Sequence, residues 1–377
     1  MAHYDVVVIG QGAMGSAALH HLASRGARVL GLEQYQTGHT RGSSHGLTRV
    51  IRLAYFEHPS YVPLLRRAYE LWRDLEKKAG RKLLHVTGIV EIGPPDGVVV
   101  GGTLSASRLH KLEHEELTAA QVMQRFPVFR IPDHYAGVWQ PDGGFLEAEA
   151  CVAAQQAAGR AAGAELRENV SVRAIEPRNG HLRVVTDDET FEAGSVVVAA
   201  GSYIKRLLPG PAAPLRVTRQ VLGWFKPSDP ALFMPGRFPV FFLDSAHGQH
   251  YGFPIFGVDG VKVAKHGHQD ETMDPERENR PVGPEDEAAI RAALTAHIPA
   301  ADGPMLNAVT CRYTMTPDQD FVIDRLPEDP RIVMLSPCSG HGFKFASVVG
   351  EIAADLALDG RTRHDISRFA LTRLGQS

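Results

Sequence analysis

Cys311 opens the run CRYTMTPDQDFVID, and downstream the run SGHGFKFA supplies Gly340, Gly342 and Lys344, two glycines and a cation able to close the same site. A cysteine at the head of such a run has two readings. As a thiol in a strand it is a small buried hydrophobe. As a thiolate it is a nucleophile toward an electrophilic ring edge, assisted by nearby positive charge. Cys151 and Cys338 lack that context and read as structural, although Cys338 is close enough to the glycine run to lie near a bound group. Three cysteines, an odd number without metal-type spacing, form neither a fully paired disulfide framework nor a zinc ribbon. No metal-ligand cluster is visible, and the cysteine usage suits a reducing compartment.

Chemistry at Cys311 needs a partner group, and the N-terminus predicts one. Residues 4–9 are a β-branched run that leads into GQGAMG, with Gly10, Gly12 and Gly15 around Ala13 and Met14, and then a helix over 16–25. A second strand over 28–32 ends at Glu33. One glycine permits the turn, one lets backbone approach a pyrophosphate, and one lets helix and strand pack, while a carboxylate about 20 residues on accepts from a ribose. Strand before, helix after and Glu33 beyond make this a dinucleotide site and not an ordinary glycine turn.

The rest of the chain must hold these parts together. At 377 residues and 44% hydrophobic content it can bury one large domain or two interleaved ones. Residues 181–193 read as a hairpin, followed by a buried strand over 196–200 that stops at Gly201. Residues 332–335 read as a strand, followed by glycines and an apolar helix over 343–358. These pieces predict an α/β fold with a discontinuous Rossmann-like domain from residues 1–85, 142–215 and 315–377. Residues 86–141 and 216–314, with strand-like runs at 221–226, 239–243 and 261–266, predict a mixed-sheet substrate domain laid across the cofactor. Residues 270–286, charged and Pro-rich, read as a solvated surface loop. A net charge of -3 gives no field for collecting nucleic acid or anionic membrane. No stretch reaches the roughly 18 apolar residues of a membrane span, and the N-terminus lacks a basic signal-peptide region. A cytoplasmic protein with small-molecule partners is expected.

Taken together, VVVIGQGAMGSA, GSSHGLTRVIRLAY, YGFP, CRYTMTPDQDFVID and SGHGFKFASVVGEIAADLAL resemble the monomeric sarcosine oxidase family, nearly end to end and in motif order. That family includes N-methyltryptophan and pipecolate oxidases. The resemblance implies FAD, oxidation of secondary amino acids through hydride transfer to flavin N5, hydrolysis of the imine, and reoxidation by dioxygen to hydrogen peroxide. It also implies a monomer.

Residue by residue, the resemblance makes Cys311 the thioether carrier of FAD and Arg52 with Lys344 the anchors of the substrate carboxylate, a pairing suited to a planar fork plus a point charge. Arg49 lies near the flavin with His45 and Thr48. If TRVIR is helical, Arg49 and Arg52 share a face. Lys262, sharing a strand face with Ala264 and His266 and not with Lys265, matches the lysine that stabilises superoxide as oxygen takes its first electron. His266 matches a site histidine, and a structural histidine is its other reading. Tyr251 and Phe253 alternate and face the amine pocket, and Tyr313, Tyr55 and Glu57 complete the neighbourhood. Arg41, Ser44, Val170, Gly201 and Phe343 join the cofactor contacts.

Near the pocket the chain departs from the sarcosine oxidase pattern. Leu47, Leu53 and Phe56 are larger or more apolar than the residues they replace, Phe242 stands in place of a methionine, and Pro337 and Cys338 differ too. GSSHG looks more like pipecolate oxidase. The expected substrates are sarcosine and small N-methyl amino acids first, then pipecolate or proline, then N-methyl aromatic amino acids. Two rival classes stand beside this: a flavin dehydrogenase serving a protein acceptor, and a non-catalytic FAD-binding subunit. A nicotinamide dehydrogenase would leave the Cys311 run without a role.

Overall fold

The computed structural model describes residues 3–277 and 279–375. Its first sheet grows from the two apolar runs flanking the nucleotide turn. His3–Ile9 pairs in parallel with Val29–Leu32 on one side and with Thr190–Val198 on the other, and Glu165–Arg167 extends the first side. Thr190–Val198 divides its length. Residues 190–193 pair with the hairpin strand His181–Thr186, while Val196, Val197 and Val198 pair in parallel with Ile332, Val333 and Met334. Residues 6–9 and 196–198 are buried without alternation, as a parallel sheet covered on both faces requires. The helices Ala13–Ser24, Ala148–Ala161 and Ala346–Asp359 pack against one another over this sheet.

The second sheet has eight strands in the order Met305–Met315, Arg216–Phe225, Val261–Lys265, Gly248–Phe253, Val240–Ser245, Ile89–Gly93, Ala136–Gln140, Glu115–Thr118. Every pairing is antiparallel except Ile89–Gly93 with Val240–Ser245, which sets Glu91 opposite Phe242. Phe126, Phe129, Phe233, Phe238 and Phe241 form its aromatic core. A small third sheet joins Thr48–Ile51, Gly144–Glu147 and Leu84–Val86.

Two expectations are corrected. TRVIR is not helical: Thr48–Ile51 pairs antiparallel with Gly144–Glu147, because Thr, Val and Ile restrict χ1 and fit a pleated surface better than a helix. Arg49 and Arg52 therefore do not share a helical face. Residues 270–286 are not simply a solvated loop, because Asp286 is fully buried and opens the helix Pro284–His297. Its carboxylate accepts from Arg219 at 2.8 and 3.0 Å, His268 at 2.9 Å, Arg280 at 2.8 Å and the Gly283 N–H at 2.9 Å. The 343–358 helix also begins later than expected, with the single turn Phe343–Phe345 ahead of Ala346–Asp359.

Burial alone would raise the Asp286 carboxyl, but its cationic and N–H donors, Arg219 foremost, hold it well below the ordinary carboxylate range. Such a depressed group adds stability above its unfolded value, near 3.9, and loses it as pH falls below that. Asp286→Asn is expected to destabilise the fold by about 3–5 kcal/mol at pH 7, the cost of breaking a buried ion pair. Denaturant titrations check this: the gap between the two proteins should narrow below about pH 4, and an equal gap at all pH values refutes the assignment.

Candidate active site

The turn after His3–Ile9 puts Gly10 at φ +87° with its missing Cβ only 2.6 Å from the Ala199 carbonyl, so a side chain there would meet the neighbouring strand. Gly15 packs harder still, since a Cβ would fall 1.7 Å from the Gly10 carbonyl. The helix Ala13–Ser24 starts at Gly12 without a side-chain cap and without an acidic residue in its first turn. Its N-terminal dipole is thus left for an anion. Ser44 Oγ accepts the Ala13 N–H at 3.1 Å. Glu33 is buried, accepts the N–H groups of Gln11 at 2.8 Å and Tyr35 at 3.1 Å, and still faces the cavity.

One continuous cavity runs from this turn across the first sheet into the second. Gly10, Gly12, Ala13, Met14, Glu33, Ser44, Val170 and Gly201 line its nucleotide end. Arg49, Cys311, Tyr313, Gly340, Gly342 and Phe343 line its middle, and Arg52, Glu57, Phe242, Tyr251, His266 and Lys344 its far end. A glycine turn, an uncapped helix, a ribose-type carboxylate and a long slot beyond them fit FAD.

Cys311, on Met305–Met315, is 3% exposed, and Arg49 Nη2 approaches its Sγ at 3.6 Å. Arg49 is locked by donating to Ser43 O at 2.8 Å and Thr48 O at 2.9 Å, so a fixed positive charge stands against the sulfur. Lys262 lies just behind. Its Nζ donates to Gly46 O at 2.6 Å, Thr48 O at 2.8 Å and Thr48 Oγ1 at 3.0 Å, over the faces of Phe253 and Trp224. Burial, then the charge of Arg49, pushes this amine well below the ordinary lysine range. Three acceptors nevertheless match the three donors of an ammonium. The loop it grips carries Gly46 at φ +91° and Leu47 at φ +70°, and Glu149 holds the other side by accepting the Gly46 N–H at 2.6 Å and the Leu47 N–H at 3.1 Å. His45 is buried nearby, lowered to about 4 by burial and Arg49, with its Nε2 unpartnered.

At the far end Arg52 is crowded. Nη2 donates to both Glu57 oxygens at 2.8 and 2.7 Å, Nη1 to Ala54 O at 2.9 Å, and the guanidinium is sandwiched by the rings of Tyr55 and Phe56 at 4.3 and 4.2 Å. Burial would raise Glu57, but Arg52 keeps it below the ordinary glutamate range. Lys344 is buried and donates to His341 O at 2.7 Å. Its amine is lowered to about 7, by burial first and by Arg52 second. Tyr55 and His341 Nδ1 are 2.6 Å apart, while His341 Nε2 meets Gln319 O at 3.0 Å. The Gln319 carbonyl can only accept, so Nε2 carries the proton and donates to it, and the tyrosine hydroxyl donates to Nδ1. Burial lowers His266, whose ring lies 6.1 Å from Phe242 and 5.5 Å from Tyr313. Phe242 also packs 5.0 Å from Phe56 and stacks on Tyr251 at 6.4 Å.

Several candidates lie off the cavity wall. Gly15 serves packing, Phe253 is buried under Lys262, and Tyr55 backs Arg52 and Lys344. Thr48 binds Lys262, and His45 sits behind Arg49. Arg41 is exposed over the Tyr35 ring at 5.0 Å. Glu91, Glu149 and His341 escaped the sequence reading. Only His341 carried a signal, its place in SGHGF.

The family model described as FAD dependent oxidoreductase matches residues 5–356. The monomeric sarcosine oxidase of Streptomyces avermitilis (strain ATCC 31267) is 42% identical over 377 residues, spanning 98% of both chains. This chain belongs to the monomeric sarcosine oxidase family. Membership supports dependence on FAD. Another member of similar sequence, the N-methyl-L-tryptophan oxidase of Yersinia pestis (strain Pestoides F), is 37% identical over 98% of this chain and 99% of its own. Among solved structures NikD, described as an unusual amino acid oxidase essential for nikkomycin biosynthesis, superposes with TM-score 0.86 at 28% identity over 98% of each chain. The L-proline dehydrogenase of P. horikoshii, at 22% identity and TM-score 0.86 over 100% of this chain and 98% of its own, shares the family's fold. Among the described residues no helix is long and apolar enough to cross a membrane.

Proposed function

We propose that this chain is a flavin-dependent oxidase of secondary amino acids, with sarcosine and other small N-methyl amino acids as first substrates and with FAD attached through Cys311. One observation carries the reading: the buried Cys311, backed by Arg49, lies midway along a cavity with the nucleotide turn at one end and Arg52, Lys344 and His266 at the other. The glycine turn, Glu33 and Cys311 would hold FAD, which when bound would supply the two-electron chemistry that takes a hydride equivalent from the carbon beside the amine and returns the electrons to dioxygen as hydrogen peroxide, the imine being hydrolysed by water.

The chain's own residues set the conditions for that exchange. Arg52 and Lys344 hold the carboxylate, and an arriving anion favours the charged form of Lys344. The same cations disfavour a protonated amine, so the substrate binds with the nitrogen lone pair free. Lys262 offers fixed charge on the cofactor side, where oxygen becomes negative. We assign residues 1–85, 142–215 and 315–377 to the FAD domain and 86–141 and 216–314 to the substrate domain, since the strands of the first sheet come from the former and those of the second from the latter. The absence of a disulfide among the described residues supports a cytoplasmic location, and likeness to the monomeric sarcosine oxidases supports a monomer.

The aromatic face of Phe56, Phe242 and Tyr251 favours a second substrate reading, a ring-bearing amino acid such as pipecolate, proline or N-methyl-tryptophan. Peroxide release from the purified holoenzyme across sarcosine, N-methyl-alanine, pipecolate, proline and N-methyl-tryptophan decides between them. Turnover of sarcosine above the rest is the expected result. Substrate-driven bleaching of the flavin without peroxide in air would replace the oxidase with a dehydrogenase serving a protein acceptor.

A further inference from the structure

Glu91 lies on Ile89–Gly93, in register with Phe242, and its side chain has no exposure. Oε2 accepts from Thr103 Oγ1 at 2.8 Å and from the Gln140 amide, and Gln140 is itself held by accepting the Ala54 N–H at 2.9 Å. Oε1 accepts no hydrogen bond and stands 3.3 Å from Arg52 Nε. The other edge of that guanidinium already carries Glu57. One arginine therefore faces two carboxylates, Glu57 on the cavity wall and Glu91 wholly buried behind it.

The groups facing Glu91 come from four elements. Thr103 is on the helix Val98–His110, Gln140 on Ala136–Gln140, and Arg52 and Glu57 on the segment after Thr48–Ile51, with Lys344 further off on Phe343–Phe345. Burial raises the Glu91 carboxyl to about 7 against the pull of Arg52. Oε1 has its lone pairs free, so a proton there leaves both bonds at Oε2 intact. A substrate carboxylate would be the third anion on this one guanidinium, and uncompensated buried charge is costly. Neutralising Glu91 is the least disruptive way to accommodate it.

Resting on the reading that Arg52 and Lys344 hold the substrate's carboxylate, we propose that Glu91 is a specificity-determining residue: its ionised form opposes that carboxylate, and an anion docks on Arg52 together with one proton taken up at Glu91 Oε1. The site thereby selects substrates that bring a single negative charge.

Acetate is the probe, because a substrate's own amine would titrate over the same range. Its dissociation constant is read from the flavin absorbance of the holoenzyme between pH 6 and 8.5. A carboxyl that must be protonated for binding weakens affinity as pH rises through its own value, by up to tenfold per unit. At pH 8.5 Glu91→Gln, permanently neutral, should bind acetate up to about thirtyfold tighter than the unaltered enzyme, and about equally at pH 6. Lys344 titrates in both proteins, and losing the Glu91 charge lowers it further in the variant, so its change opposes the expected tightening and cannot produce it. A ratio of one at every pH overturns the proposal, as does weaker binding by Glu91→Gln throughout. Thr103→Val gives an independent reading: losing a donor to Oε2 should move the midpoint of the affinity loss upward, and an unmoved midpoint overturns the proposal even if Glu91→Gln does not fold. Failure of acetate to bind the unaltered holoenzyme at any pH overturns the carboxylate reading itself, and this inference with it.

Discussion

Replacing Cys311 by alanine will release the yellow colour into the supernatant after acid precipitation, whereas the unaltered chain will carry it into the pellet. The effect is all or none because no other cysteine of this chain can substitute. Cys151 is buried in the helix Ala148–Ala161, and burial pushes its thiol far up. Cys338 reaches the cavity, but burial raises its thiol to about 11, so little of it is the nucleophilic thiolate at neutral pH. Cys311 alone has a guanidinium held against its sulfur. The substitution removes one small buried side chain, so the fold should survive and FAD should remain bound through the glycine turn and Glu33. Colour in the supernatant from the unaltered chain refutes the covalent link outright.

Lys262→Met is expected to slow the reaction with oxygen by about 10²–10³-fold, the range for losing one preorganised electrostatic group. The substrate-driven step should change far less. The structure supplies a competing explanation that the experiment must separate, because Lys262 also ties Gly46 O and Thr48 O into a loop with two left-handed residues. Methionine fills the space, and Gly46 O and Thr48 O keep the bonds they accept from the Thr48 N–H and Arg49 Nη1, so each lost lysine hydrogen bond costs about 0.5–1.5 kcal/mol in stability. If the loop were the lysine's whole purpose, both half-reactions would fall together, since Arg49 is held by Thr48 O of that loop and itself stands against Cys311. Stopped-flow traces of the two half-reactions, with a thermal melt of each protein, distinguish charge from scaffolding.

The nucleotide end was legible because it is local. Strand, glycines, helix and Glu33 fall within one stretch of chain, and each glycine answers a clash that can be named in advance. Cys311 was legible by resemblance, since spacing alone does not tell a reactive cysteine from a buried one. The far end was only half legible. Arg52 could be picked out as a carboxylate anchor, but its commitment to Glu57, five residues on, and to Glu91, on a separate strand, is set by side-chain packing that no motif in the sequence marks. Glu91 in IVEIG looks like any polar residue of an alternating strand. TRVIR was ambiguous for a different reason: a short segment carries too few residues to separate helical from extended periodicity, and its pairing with Gly144–Glu147 decided it. Asp286 was misread because a charged, proline-bearing segment resembles solvent-exposed chain until its partners Arg219 and His268 are brought in from elsewhere.

The division of Thr190–Val198 between two partners bears on how this enzyme is made. The first sheet is completed only when Ile332–Ser336 docks beside Val196–Val198, and that strand is synthesised after every other strand of the sheet. Pairing of such sequence separation is slow to form, because loop closure must come before any contact rewards it. A nascent chain ending before Ile332 has the turn and Cys311 but no slot to hold a ring against the sulfur. Flavin capture is therefore expected to follow synthesis of Ile332–Ser336, and newly made protein starved of riboflavin should accumulate as a colourless apoprotein competent to take up cofactor afterwards.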